Sequence, residues 1–202
     1  SEIEGIDIML AIDVSTSMLA EDLKPNRLEA AKDVAAEFIN GRPNDNIGIT
    51  LFAGETFTQC PLTVDHAVLL DMIHNIKCGL ITDGTAVGMG IANAVTRLKD
   101  SKAKSKVIIL LTDGTNNKGD ISPMTAAEIA KSFGIRVYTI GVGTNGMAPY
   151  PYPVGNTVQY VSMPVEIDEK TLTEIAGTTD GNYFRATSNS KLKEVYEEID
   201  KL

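Results

Sequence analysis

Unbroken apolar runs alternate along the chain with stretches whose apolar positions recur every three to four residues. Ile6–Ile12 is an almost continuous apolar run, the pattern of a strand covered on both faces. Arg27–Asn40 then places Leu28, Ala31, Ala35, Phe38 and Ile39 on one helical face, with Asn26 as cap and Gly41 as stop. Ile47–Ala53 is a second strand, and Gly54-Glu55 is a two-residue turn into Thr56–Pro61. That pair reads as a hairpin, with Pro61 at the end of an edge strand. Asp65 caps a helix through Ile76, and a loop over Lys77–Gly84 leads to a helix over Ala86–Leu98.

Val107–Leu111 is the most apolar strand and is expected at the centre of the sheet; it ends in Thr112-Asp113-Gly114. Ser122-Pro123 opens a helix that runs to Phe133, and Ile135–Gly141 is the next strand. Residues Thr144–Ile167 hold four prolines and little periodicity, so a long loop or small insertion is expected there. A helix from Asp168 to Ala176, a short strand at Tyr183–Arg185 and a closing helix over Ser190–Ile199 complete the chain. The closing helix turns Leu192, Val195, Tyr196 and Ile199 inward.

This order predicts one α/β domain over residues 1–202. Its sheet is Rossmann-like and doubly wound, mostly parallel with one antiparallel edge strand, and has helices on both faces. Ligands of such sheets bind beyond the carboxyl ends of the strands, where strand order reverses. Asp13 and Asp113 both lie just past such ends. They face each other if the first strand and the Val107–Leu111 strand are neighbours.

The net charge of −9 narrows the function classes. Nucleic-acid binding is disfavoured, because Lys99, Lys102, Lys104 and Lys106 read as a solvated helix end and loop. The acidity also argues against direct contact of this segment with an anionic membrane surface. No run of 18 apolar residues occurs, so no membrane span is predicted, and no signal-peptide pattern is present. A chain that starts on Ser1-Glu2-Ile3-Glu4-Gly5 is expected to be a segment of a longer protein. Cys60 and Cys78 cannot supply the four ligands of a zinc site and are expected as free, buried thiols.

Asp13-Val14-Ser15-Thr16-Ser17 offers one carboxylate and two hydroxyls, spaced by two, on a tight loop. Oxygen-only donors select magnesium, calcium or manganese over zinc or copper. Asp113 and Thr85 extend the set from two further loops. Taken alone, Asp13-x-Ser-x-Ser suits a helix cap as well as a metal, Thr85 is more often a cap, and Asp113-Gly114 is commonly a turn. Matching oxygens on three such loops favour a shared metal site.

These three loops resemble the metal-ion-dependent adhesion site of von Willebrand factor type A domains and integrin inserted domains. The matching parts are Asp13-Val14-Ser15-Thr16-Ser17, Asp83-Gly84-Thr85-Ala86 and Leu111-Thr112-Asp113-Gly114. The resemblance implies a divalent cation, usually magnesium, ligated by the hydroxyls of Ser15 and Ser17. Thr85 would serve directly or through water, and Asp13 and Asp113 through waters or as acceptors. A partner protein's Asp or Glu would take the open position. Met18, Asp83, Tyr150 and Tyr152 are candidates for the surrounding rim. The resemblance also implies a non-enzymatic adhesion or scaffold domain, and permits a switch in which partner binding shifts the last helix.

Four stretches further resemble the bacterial Bat proteins, named for aerotolerance: Asp22–Ala31, Arg42–Ile49, Phe52–Val64 and Asp83–Gly90. That resemblance implies a role linked to aerotolerance or stress. It also implies membrane association through hydrophobic helices outside this segment, with the periplasmic side expected.

The competing reading is a metal-dependent hydrolase or phosphoryl-transfer enzyme using Asp13, which would want an acidic nucleophile or base beside the cation. Gly141-Val142-Gly143-Thr144-Asn145-Gly146 matches a dinucleotide-binding glycine pattern. The prolines that follow cannot open the helix such a site needs, so these glycines are read as a tight loop. His66 and His74 are eight apart and lack a metal-ligand pattern, and no serine sits in a nucleophile elbow.

Overall fold

A computed structural model describes the backbone of residues 3–186 and 189–202, and the side chains of residues 5–186 and 193–202. The main sheet holds β1 (Ile3–Asp13), β2 (Asn46–Phe52), β3 (Thr56–Thr63), β4 (Ala103–Thr112) and β5 (Ile135–Gly141). After a small second sheet of β6 (Gly146–Val154) and β7 (Thr157–Val165), β8 (Tyr183–Arg185) joins the main one. The helices are α1 (Arg27–Gly41), α2 (His66–His74), α3 (Val87–Leu98), α4 (Pro123–Ser132), α5 (Glu169–Thr178) and α6 (Asn189–Asp200).

The main sheet runs β3-β2-β1-β4-β5-β8, and only the β2–β3 pair is antiparallel. This is the expected doubly wound α/β sheet with one antiparallel edge strand. Alternate residues of β1 face opposite sides of the sheet. Ile8, Leu10 and Ile12 join the core under α1, α2 and α6, whereas Met9 and Ala11 join the core under α3, α4 and α5. Both faces are therefore covered, which is why the strands read as apolar runs. Polar side chains cap four helices as the sequence suggests. Asn26, Asp65, Ser122 and Asp168 each accept from a backbone N–H in the first turn of α1, α2, α4 and α5.

Two segments differ from expectation. β4 begins at Ala103, so Lys104 and Lys106 lie on a strand rather than in a loop. Residues 146–165, expected as a loop or small insertion, form a two-stranded antiparallel hairpin with regular strands. The prolines hide its period. The Pro149 carbonyl accepts from Glu21 N at 2.9 Å, outside the hairpin, so the N and O of this residue point away from β7. Pro151 and Pro153 follow at the same two-residue period. Their missing N–H groups therefore fall on the outer edge, where no ladder bond is lost. The expected inward orientation of Leu192 lies outside the described side chains. Cys60 is buried and Cys78 half-buried; both are free.

Candidate metal centre

β1 and β4 are neighbours, with Ile12 paired to Leu111, and chain order reverses between them. Asp13 and Asp113 therefore leave adjacent strands at the carboxyl edge of the sheet. Asp13 is fully buried. Its Oδ1 accepts from Ser15 N at 2.9 Å and its Oδ2 from Thr112 Oγ1 at 2.7 Å. Burial first, and the nearby Asp113 charge second, push its carboxyl up to about 7.

Asp113 is equally enclosed, and its carboxylate accepts four hydrogen bonds. Its Oδ1 accepts from the backbone N (3.0 Å) and Oγ1 (2.7 Å) of Thr115. Its Oδ2 accepts from Ser17 Oγ at 2.7 Å and Arg27 Nη1 at 3.1 Å. Ser15 Oγ and Ser17 Oγ lie 3.1 Å apart. The structure thus joins Ser15, Ser17 and Asp113 in one chain of contacts, with Asp13 held against it through the Ser15 backbone.

Thr85 is buried in the loop before α3. Its N–H donates to Asn117 Oδ1 at 2.9 Å, and its carbonyl accepts from the N–H groups of Asn117 and Lys118. Ala86 N bonds the Ala53 carbonyl just past β2, which brings this loop to the same edge of the sheet. No hydrogen bond among the described residues links the Thr85 hydroxyl to Ser15, Ser17 or Asp113.

Arg27 is the residue sequence reasoning missed. It is 2% exposed, and its Nε and Nη2 form a bidentate pair with Asp22 at 2.8 and 2.7 Å while Nη1 holds Asp113. Burial opposes ionisation of Asp22, but the Arg27 hydrogen bonds prevail and hold its carboxyl below the usual range. One signal was present in the sequence: Arg27 opens α1, where a cation opposes the helix dipole. Such a local violation marks a residue placed for another reason. The glycine pattern has its explanation here too, since a Cβ on Gly143 would lie 2.7 Å from Arg27 Cζ. Asn116 and Asn117, also unassigned from sequence, fasten the Thr85 loop from the far side.

The four rim candidates divide. Met18 is fully buried, because the short 3-10 turn over Thr16–Leu19 points it into the core of β1 and α1; it is not a rim residue. Asp83 accepts from Thr16 N (3.2 Å) and Oγ1 (3.0 Å), bracing the Ser15–Ser17 loop. Tyr150 donates to the Thr16 carbonyl at 3.0 Å and lines a cavity of about 420 Å³ with Ser17, Arg27 and Asp113. Tyr152 is exposed and stands outside that cavity.

The donor set suits a hard divalent cation. Asp22 and Asp113 bring two enclosed carboxylates against the one guanidinium of Arg27, and Asp13 adds a third buried acid, whose ionisation burial and the Asp113 charge oppose until a cation is beside it. Among the described residues no group of three or more His, Cys, Asp or Glu side chains converges as a metal cage. Hydroxyls are therefore central to this donor set.

Residues 7–198 match the von Willebrand factor type A domain, and the chain belongs to that family. Within it, the chain is similar to Bat-type proteins. Solved structures of an aerotolerance-related membrane protein from Bacteroides fragilis and of BatB from Bacteroides thetaiotaomicron are 34% and 35% identical. Both give a TM-score of 0.88 over 98% of this chain, and over 100% and 98% of theirs. An uncharacterized protein of Borreliella burgdorferi is 29% identical over 199 residues, covering 98% of this chain and 58% of its own length. The chain thus spans little more than half of that curated relative.

Proposed function

We propose that this domain binds a partner protein through a divalent cation. Ser15 and Ser17 hold the cation by their hydroxyls, Thr85 directly or through water, and Asp13 and Asp113 through waters or as acceptors. A bound cation supplies positive charge and an open coordination position for an incoming Asp or Glu carboxylate. The observation that carries this reading is the charge imbalance: two enclosed carboxylates on one guanidinium, the buried acid Asp13 next to them, and two hydroxyls 3.1 Å apart beside them. Oxygen donors narrow the cation to magnesium, manganese or calcium, and the family resemblance favours magnesium among them.

The burial of Asp13 supports a binding role over hydrolysis. Both of its oxygens already accept hydrogen bonds, and no part of it is exposed to a substrate. Membrane association rests on segments beyond these 202 residues; among the described residues, no helix is long and apolar enough to cross a membrane. In this reading the domain faces the periplasm and serves an assembly linked to aerotolerance or stress.

Titration calorimetry with magnesium, manganese and calcium chloride tests the site. Binding at micromolar to low millimolar concentration should disappear in Ser15→Ala and Asp113→Ala. Unchanged heats in both variants would sink the proposal. Co-purification of the longer protein from cells, with and without chelator, then tests the carboxylate partner.

A further inference from the structure

The twenty residues from Gly146 to Val165 carry no charged side chain, in a chain of net charge −9. They also hold seven of the twelve large apolar side chains that stand exposed among the described residues. Exposure is therefore concentrated on one hairpin rather than scattered. The base of that hairpin is fixed. Tyr150 bonds the Thr16 carbonyl, Pro149 accepts from Glu21 N, and Ala148 is buried.

Alternation along the two strands puts Ala148, Tyr150 and Tyr152 on one face with their partners Met163, Val161 and Gln159. At the foot of this face, Tyr150, Met163, Pro164 and Val165 form one wall of the 420 Å³ cavity whose other wall includes Ser17 and Asp113. The foot of the apolar face and the candidate metal oxygens thus share one cavity, and the face continues beyond it through Tyr152, Val161 and Gln159. From Val165 to Gln159 the strand advances roughly 20 Å at ~3.4 Å per residue, the length of an extended segment of about six residues. The cavity also has a charge preference. Glu166 lines its foot, so a second acid of a partner placed there meets repulsion.

We propose that the β6–β7 hairpin is the second half of the partner site. It takes an aromatic or branched apolar side chain from an extended peptide segment, within a few residues of the acid bound at the cation, and the segment carries no other acid. This inference rests on the metal-bridged reading above.

A displayed library of eight-residue segments, with one fixed glutamate and seven random positions, tests it by selection on the domain in magnesium. The expected result is enrichment of aromatic and branched residues within about three positions of the glutamate, and depletion of further acids. Tyr152→Ser/Val161→Asp should reduce recovery at least tenfold. Both side chains are exposed, and circular dichroism checks the fold. Magnesium-dependent selection without apolar neighbours, unaffected by the variant, overturns the hairpin role and leaves the metal reading standing. Recovery of apolar segments that survives chelator overturns the joint site together with the metal reading. Flotation with lipid vesicles, or concentration-dependent dimerisation, abolished by the same variant would give the hairpin to a membrane or a second copy and overturn the peptide assignment.

Discussion

Replacing Arg27 with methionine removes the only cation bonded to Asp113 among the described residues while keeping most of the side-chain volume. Arg27 is 2% exposed, and the side chains of its partners Asp22 and Asp113 are 4% and 1% exposed. Without it, two carboxylates remain enclosed and unpaired. Breaking a buried pair by deleting one partner costs about 3–5 kcal/mol, because the surviving charge keeps its desolvation penalty. In a chain of this size each kcal/mol lowers Tm by about 2–4 °C, so Arg27→Met should lose roughly 6–20 °C in chelator at pH 7. Thermal unfolding followed by circular dichroism measures this. The sign with pH is set by Asp22, whose folded carboxyl is held low. Its contribution is present above the unfolded value and is lost as pH falls through the folded one. Wild type and variant should therefore converge in acid, where neutral carboxyls need no cation. Adding Asp22→Asn to Arg27→Met should recover part of the loss. A deficit below about 1 kcal/mol at pH 7, or one that persists undiminished in acid, would refute the argument.

Three further outcomes follow from named contacts. Ser17→Ala should abolish magnesium binding in calorimetry yet lose only about 1–2 kcal/mol in urea, since two part-buried hydrogen bonds, to Asp113 and Ser15, disappear. Asn93→Leu should do the reverse: it strands the buried Thr50 hydroxyl and the Thr56 and Thr58 contacts, costs about 1–3 kcal/mol, and leaves metal affinity intact. Thiol titration with a disulfide reagent at pH 8 should find both cysteines slow in the folded domain and fast in urea. Burial pushes the Cys78 thiol up to about 12 and also raises Cys60; rapid labelling of either in the native state would contradict this.

Much of the architecture was legible because its signals are local. Apolar runs, helical spacing and four side-chain caps each depend on residues only a few positions apart, whereas the β2–β3 connection holds three residues, Ala53 to Glu55, rather than the two expected. The hairpin over Gly146–Val165 escaped because three prolines on alternate positions disguise a strand, and only the side their nitrogens face reveals them as tolerable. Met18 was misplaced for a related reason. A single 3-10 turn decides whether it points outward or into the core, and no periodicity signals that turn.

The α/β order, the place of Asp13 and Asp113 beyond strand ends and the oxygen-rich donor set can all be read along the chain. Such information is carried by residue type and by short spacing along the chain. Only the tertiary structure put β1 beside β4, brought Arg27 onto Asp113 across 86 residues, and ran the groove from Ser17 to the hairpin. Those placements depend on strand order and on which charges share an enclosed volume, and neither is written in any local stretch of the chain.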